Sequence, residues 1–375
     1  MLSSSASKDF FTRLFGFREL AYAKTQKRLM KMARFEAQEL EFYPRERCTF
    51  EIGKRSVSAG LFSMPSVGEL QQHVDQLYSS LKERNLIPNS GVIRLSNCVG
   101  EARDMHCQLK QHAVVQAASQ FNLLEMVGPG VTPEKGITGY EFDRTQGPAC
   151  AIACASGTAY RNYLVPVVTN TGEEQQRGQT KGHQINTLQD IETYLEEQHG
   201  ISEPWRVKNG YVESAPSLLQ PVNDLLEREP AVADEMIRRL RIGVQQDCQV
   251  TDDADSVRLV TQTYNSAISI SYSLLSTKRW EPVAKVVLNG TYKATFLVGV
   301  LEYLRAIEEG REPQPIFLTK VGGGVFGNEH SWIVQSMGEA LHMASSYELP
   351  LDVRIVHYGC VDPESDAFVD MWSSN

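Results

Sequence analysis

Beyond residue 256 the chain alternates strand-like and helix-like stretches. "SVRLVTQTYNSAIS" and "VAKVVLNG" read as strands, followed by a helix "TYKATFLVGVLEYLRAIEEG" ended by Gly310, the strand "PIFLTKV", a glycine-rich loop, a further helix and the strand "LDVRIVHYG". Strands alternating with helices imply a largely parallel or mixed sheet covered on both faces, with ligands at the C-terminal ends of its strands. The centre has the same rhythm: "GVIRLSN" is a strand, "AVVQAASQFNLLEM" a strand or strand pair, and "GPACAIACASGTAYRNYLV" a small-residue helix able to pack closely on a sheet.

At 375 residues the chain exceeds a usual single domain, so one large α/β domain with additions is expected, or two domains sharing an interface. Residues 1–90 read as a helical extension packed on the core. Phe11, Leu14, Phe15, Phe17, Leu20, Tyr22, Leu29, Met32 and Phe35 fall at mostly helical intervals among Arg and Lys, and Ser66 with Glu69 forms a capping-box start for another helix. The basic face of the first stretch is either a solvated helix face or a surface for acidic lipid or a partner. Residues 91–375 read as the ligand-binding domain, with an inserted helical segment at about 168–251 that opens on the polar, loop-like "TNTGEEQQRGQ".

Composition limits the function classes. With 42% hydrophobic and 22% charged residues and no long uncharged apolar run, a membrane span is excluded. A formal net charge of -9 argues against general nucleic-acid binding, which draws its affinity from clustered Lys and Arg. The seven cysteines lack metal-knuckle spacing and read as reduced, mostly buried thiols of a cytoplasmic protein. His183, His330 and His357 share no ligand pattern, so neither a metal nor a redox cofactor is expected. The first residues carry Asp9 and Glu19 and lack the apolar core of a secretory signal.

The most informative local stretch is "FLTKVGGGVFGNEHSWIVQSMGEAL". Gly322 to Gly327 satisfies G-x-G-x-x-G, but too little chain remains for the rest of a dinucleotide-binding domain, and Asn328 and Glu329 stand where a P-loop needs Lys and Ser/Thr. A strand ending in three glycines at a helix start exposes several amides, which suits a diphosphate. The plainer alternative is a tight strand-to-helix turn needing positive φ, with Phe326 in the core.

A second constellation lies in "QFNLLEMVGPGVTPEKGITGYEFDRTQGPACA", where an apolar strand runs into a Gly/Pro-rich loop bearing Glu125, Glu134, Glu141, Asp143, Thr145 and Gln146. Carboxylates beyond a strand end are what hydrolysis of a glycosidic bond requires, one to move a proton and another to stabilise oxocarbenium-like charge. Solvated loop acids and helix caps are the alternative.

Taken together, "ASQFNLLEM", "TPEKGITGYEFDRTQGPACA", "YRNYLV" and "LTKVGGGVFGNEHSWI", with "FFTRLFGFRE" and "SLKERNL" upstream, resemble the divergent, MavL-like macrodomain family of arginine-specific ADP-ribosyl hydrolases. The resemblance spans nearly the whole chain. It implies a three-layer α/β/α macrodomain with a mixed sheet and an ADP-ribose cleft. In that cleft "VGGGVFGN" would be the diphosphate loop, with Gly322, Gly323, Gly324, Val325, Phe326, Gly327 and Asn328 around the phosphates and distal ribose. By the same resemblance "VGEARDMH" matches the element that receives the adenine amino group, Glu101 replacing its Asp and Asp104 lying nearby. Of the Asn-rich motif of ordinary macrodomains only Asn122 remains, with Glu125 following, and by the resemblance the chemistry passes to Glu125, Glu134 and Asp143, with Glu134 and Asp143 foremost.

The activity so implied is removal of mono-ADP-ribose from arginine side chains of a protein, ubiquitin being a target to test, with ADP-ribose as ligand or product. Three rivals remain at this level: a non-catalytic ADP-ribose reader, an enzyme acting on a soluble nucleotide metabolite, and a scaffold that binds through its basic helices.

Overall fold

The computed structural model describes residues 9–39, 42–88, 90–167, 176–253 and 257–374. The N-terminal residues 1–8, and 168–175 at the opening of the expected insertion, lie outside them. A nine-stranded sheet runs in the order β1-β2-β3-β10-β11-β5-β12-β13-β4. Its strands are β1 (Ala33–Glu39), β2 (Pro44–Ile52), β3 (Arg55–Ser63), β4 (Arg94–Val99), β5 (Val114–Ala118), β10 (Gly243–Gln249), β11 (Leu259–Asn265), β12 (Ile316–Leu318) and β13 (Asp352–His357). Two small two-stranded sheets, β6 (Pro166–Val167) with β7 (Gln176–Arg177) and β8 (Arg206–Lys208) with β9 (Tyr211–Glu213), complete the numbering.

From β11 to β4 the sheet is parallel, and from β1 to β10 each pairing is antiparallel, as is β10 with β11. It is therefore the mixed sheet that the strand–helix alternation requires. Successive side chains of a strand point to opposite faces, and here both faces are buried. Val114 joins the core beneath helix Thr277–Glu308, whereas Val115 and Ala117 join the core beneath helices Gln146–Ala153 and Ala155–Tyr163. Ile316 and Leu318 divide from Phe317 in the same way. The sheet is thus the middle of three layers.

Three expectations are corrected. "VAKVVLNG" is no strand but part of the helix Thr277–Glu308. A short apolar run fits a buried helix as well as a strand, and Gly290 is kept there because a Cβ would stand 2.7 Å from Leu240 Cδ2. Residues 1–90 are not wholly helical. The helix Tyr22–Met32 stops at Ala33, and β1 to β3 then extend the sheet, so this region shares the sheet with the rest of the chain. Finally, the segment read as inserted contains a central strand, β10. Its run "GVQQDCQ" looks polar, yet Gln245 donates to the Ala59 carbonyl and Gln246 to Glu302 Oε1 at 2.5 Å.

The capping box at Ser66 is present. The Ser66 hydroxyl accepts from the Glu69 amide at 3.2 Å and the Glu69 carboxylate from the Ser66 amide at 2.7 Å, opening the helix Val67–Glu83. Among the described residues no helix is long and apolar enough to cross a membrane.

Candidate active site

The glycine loop leaves β12 at Leu318 and is tied down at both ends. The Thr319 amide donates to Gln116 Oε1 at 3.1 Å and the Val321 amide to the Tyr292 hydroxyl at 3.0 Å. Gly322 (φ 77°) and Gly327 (φ 72°) hold left-handed conformations, and a Cβ would lie 2.4 Å from Ala267 Cβ and 2.2 Å from Ser271 Oγ respectively. Those two glycines are demanded by the turn itself. Gly324 is not, because its φ is not positive and a Cβ there would meet nothing within 4 Å.

Within the loop, Gly323, Gly327 and Asn328 donate their amides to Lys320, Gly324 and Gly322 carbonyls. The amides of Gly322, Gly324, Val325 and Phe326 donate to no acceptor among the described residues. The helix His330–Ser345 starts directly afterwards, so its positive dipole end lies beside those free donors. Asn328 is buried, and its Nδ2 donates to the Ile268 carbonyl at 2.8 Å and the Gly322 carbonyl at 3.2 Å. It staples the loop to the chain beyond β11.

A cleft runs across the C-terminal ends of β5, β12, β13 and β4 in two adjoining parts. One, of about 320 Å³, is lined by Glu125, Asp143, Tyr211, Tyr272, Gly322 and Phe326 among others. The other, of about 620 Å³, is lined by Glu101, Gly323, Asn328, His330, His357 and Tyr358 among others. Thr145, Gln146, Thr319, Lys320 and Gly324 border both, so the bare backbone of Gly324 stands at the seam.

Of the three acids expected to carry chemistry, the structure brings two to the smaller part. Asp143 comes directly after the 3-10 helix Thr138–Phe142, and its Oδ1 accepts from the Thr145 amide at 2.9 Å and hydroxyl at 2.7 Å. Its charge reaches Tyr211, whose phenol is raised first by burial and further by Tyr272 and Asp143. Glu125 is buried at the cleft wall, with Oε1 3.5 Å from Arg161 Nη2 and Oε2 without a hydrogen-bond partner among the described residues. Burial pushes its carboxyl up to about 7 against the opposing pull of Arg161 and of the Tyr140 hydroxyl.

Glu134 is placed elsewhere. Its Oε1 accepts from the Lys181 amide at 2.8 Å, and it lines neither part of the cleft. Although partial burial works the other way, the Lys181 amide and Thr132 hydroxyl hold its carboxyl below the ordinary range.

Among the expected ligand contacts, Glu101 reaches the cleft while its Oε2 caps the helix Ala102–Gln108 by accepting from the Arg103 and Asp104 amides. Asp104 is exposed on that helix and lines neither part. Asn122 is turned inward. Its Nδ2 donates to Gln184 Oε1 at 2.8 Å and its Oδ1 accepts from the Leu124 amide.

Tyr211 and Tyr272 were not foreseen as residues of the site; they stand against Phe326, which was. Tyr211, Tyr272 and Phe326 form an aromatic wall, Tyr211 lying 5.0 Å from Tyr272 and 5.4 Å from Phe326 between ring centroids. Tyr211 is delivered by the β8–β9 hairpin, whose turn at Asn209 and Gly210 has positive φ at both positions. An Asn-Gly pair is a strong hairpin signal, so that much was readable in "VKNGYVE". Arg161 carried no such signal, since it sits in the last turn of a helix within a small-residue stretch. Among the described residues, no group of three or more His, Cys, Asp or Glu side chains is arranged to hold a metal ion.

Neither a protein-family model nor a curated protein sequence matches the chain. Among solved structures it is similar to Deinococcus radiodurans poly(ADP-ribose) glycohydrolase in complex with ADP-ribose, at 12% identity and TM-score 0.36 over 84% of this chain and 94% of that one. It is also similar to the Thermomonospora curvata glycohydrolase bound to the inhibitor ADP-HPD, at 11% and 0.34 over 94% and 97%. An Oceanobacillus iheyensis macrodomain with MES bound aligns at 8% and 0.29 over 76% and 92%. Likeness this distant leaves the function to rest on the chain's own residues.

Proposed function

We propose that the cleft binds ADP-ribose in the manner of a macrodomain and that the protein hydrolyses the bond between mono-ADP-ribose and an arginine side chain of a target protein. The observation that carries this is Gly324. Neither conformation nor crowding asks for glycine there, yet it lies at the seam of the two cleft parts, its amide and those of Gly322, Val325 and Phe326 finding no acceptor among the described residues. A diphosphate held at the seam would place adenine in the larger part, near Glu101 and Tyr358, and the distal ribose in the smaller, near Asp143 and Glu125.

The reaction needs a new bond from water oxygen to the anomeric carbon as the bond from that carbon to the guanidinium nitrogen breaks. The electron pair stays on the guanidine. The water proton passes through a carboxyl to the departing guanidine, which leaves as a cation. Asp143, at the more accessible position, faces the guanidinium and the positive charge growing on the ribose. Glu125, with its pKa near neutrality, is suited to receive and return the proton. The diphosphate loop holds the sugar so that attack requires little reorganisation.

The test is incubation of the protein with a peptide, and separately with ubiquitin, carrying one ADP-ribosylated arginine. Release of free ADP-ribose with unmodified arginine is the expected result. Tight binding without release would make the protein a reader.

A further inference from the structure

Resting on the reading of the cleft as a hydrolase site, we infer that Glu19, in the N-terminal region and outside the cleft, is a positioning residue for the catalytic loop. Glu19 lies just beyond the helix Phe10–Phe15, which ends at Gly16 in a left-handed conformation. Its own place is fixed on both sides. Phe17 is buried with its ring 5.3 Å from Phe11, and the Thr25 hydroxyl accepts from the Leu20 amide at 2.8 Å while donating to the Leu20 carbonyl at 3.0 Å.

From there the Glu19 carboxylate reaches the loop between β5 and the helix Gln146–Ala153. Oε1 accepts from the Ile137 amide at 2.8 Å and the Tyr163 hydroxyl at 2.6 Å. Oε2 accepts from the Thr138 amide at 2.8 Å and the Thr138 hydroxyl at 2.6 Å. Gly136 makes room for it, since a Cβ there would lie 2.5 Å from the carboxylate. Its φ of 79° adds a second reason for glycine. A carboxylate accepting from two consecutive amides sets the direction in which the chain leaves them, and charge-assisted bonds of this kind are the strong ones.

The chain leaves Thr138 as the 3-10 helix Thr138–Phe142, held at its far end by the Phe10 amide donating to Glu141 Oε1 at 2.9 Å. Between these two attachments the Tyr140 hydroxyl accepts from the Glu125 amide at 3.0 Å, and immediately beyond them stands Asp143. Both acids assigned to the chemistry are therefore aligned by a segment that the N-terminal region holds at each end. The glycine loop, on the other wall, receives none of these bonds.

The experiment compares Glu19→Ala and the near-isosteric Glu19→Gln with wild type. The readouts are hydrolysis of an ADP-ribosylarginine peptide, ADP-ribose affinity, thermal midpoint and amide hydrogen exchange over residues 136–143. Expected is a fall in kcat of about 10- to 100-fold, the scale of an ångström-sized misplacement. ADP-ribose affinity should stay within about threefold, and exchange across 136–143 should quicken in both variants. Unchanged kcat in both variants of an active protein would overturn the assignment. A wild-type protein without hydrolysis would instead sink the functional reading, and exchange would then decide the positioning claim alone: protection unchanged in both variants overturns it.

Discussion

The Glu125 carboxylate lies 3.5 Å from the Arg161 guanidinium, and both side chains are buried, Glu125 at the wall of the cleft. Arg161 is held over the Tyr264 ring, 3.4 Å from its centroid, and donates through Nε to the Leu123 carbonyl at 3.0 Å. Glu125 Oε2 and Arg161 Nη1 lack hydrogen-bond partners among the described residues. Desolvation thus outweighs attraction in the acid's titration, which ties stability, and under the proposed function turnover, to pH near neutrality.

For stability the direction comes from linkage. The folded-state pKa of Glu125, about 7, stands above its ordinary 4.5, so the folded protein binds the extra proton between those values. The contribution is full below about pH 4.5 and is lost as pH rises through about 7. Wild type measured against Glu125→Gln should therefore lose relative stability between pH 5 and 8 in urea titrations. Arg161→Leu, which strands the acid, should cost roughly 3 to 5 kcal/mol at neutral pH.

For catalysis, a Glu125 that takes the water proton must be ionised. Then kcat should rise about tenfold per pH unit below the Glu125 pKa of about 7 and level off above it. In Glu125→Gln the rate should be low and that limb flat. A wild-type profile flat from pH 5 to 8 would remove Glu125 from the proton transfer.

Asp143 and Glu134 should separate cleanly. Asp143→Ala is expected to lower turnover by about 10²- to 10⁴-fold with ADP-ribose affinity nearly intact. Glu134→Gln should change kcat by less than about threefold, since that carboxylate serves the Lys181 amide outside the cleft. Single-turnover kinetics on one peptide decide both. Equal losses would return Glu134 to the chemistry.

Two neighbouring glycines should fail in different ways. Gly322→Ala forces a Cβ against Ala267 at positive φ and should lower stability by about 1 to 3 kcal/mol. Gly324→Val faces open space and should leave the thermal midpoint unchanged. It should nevertheless weaken ADP-ribose binding by about tenfold, which corresponds to about 1.4 kcal/mol and the loss of two or three amide contacts.

The alternation of strands and helices made the mixed sheet readable, as did the capping box at Ser66 and the glycine loop between β12 and its helix. The features that were not legible have physical reasons. Apolar runs such as "VAKVV" lack a period that separates buried helix from buried strand, and β10 hides behind glutamines that are satisfied only by distant partners. The lining of the cleft was legible where backbone chemistry marks it, at Gly322 and Gly327, and where acids stand beyond a strand, at Glu125 and Asp143. Glu134 and Asn122 lie on the same stretch of chain, but hydrogen bonds with Lys181 and Gln184, far away in sequence, turn them away from the cleft. Tyr272 and Arg161 join the site only through tertiary packing, which no local pattern announces.

The most direct measurement is a calorimetric titration of the wild-type protein with ADP-ribose, repeated on Asp143→Ala. Saturable binding at one site per chain, with similar affinity in both proteins, is the predicted result. No heat of binding in either protein, with both folded, would contradict the assignment of the glycine loop to a diphosphate.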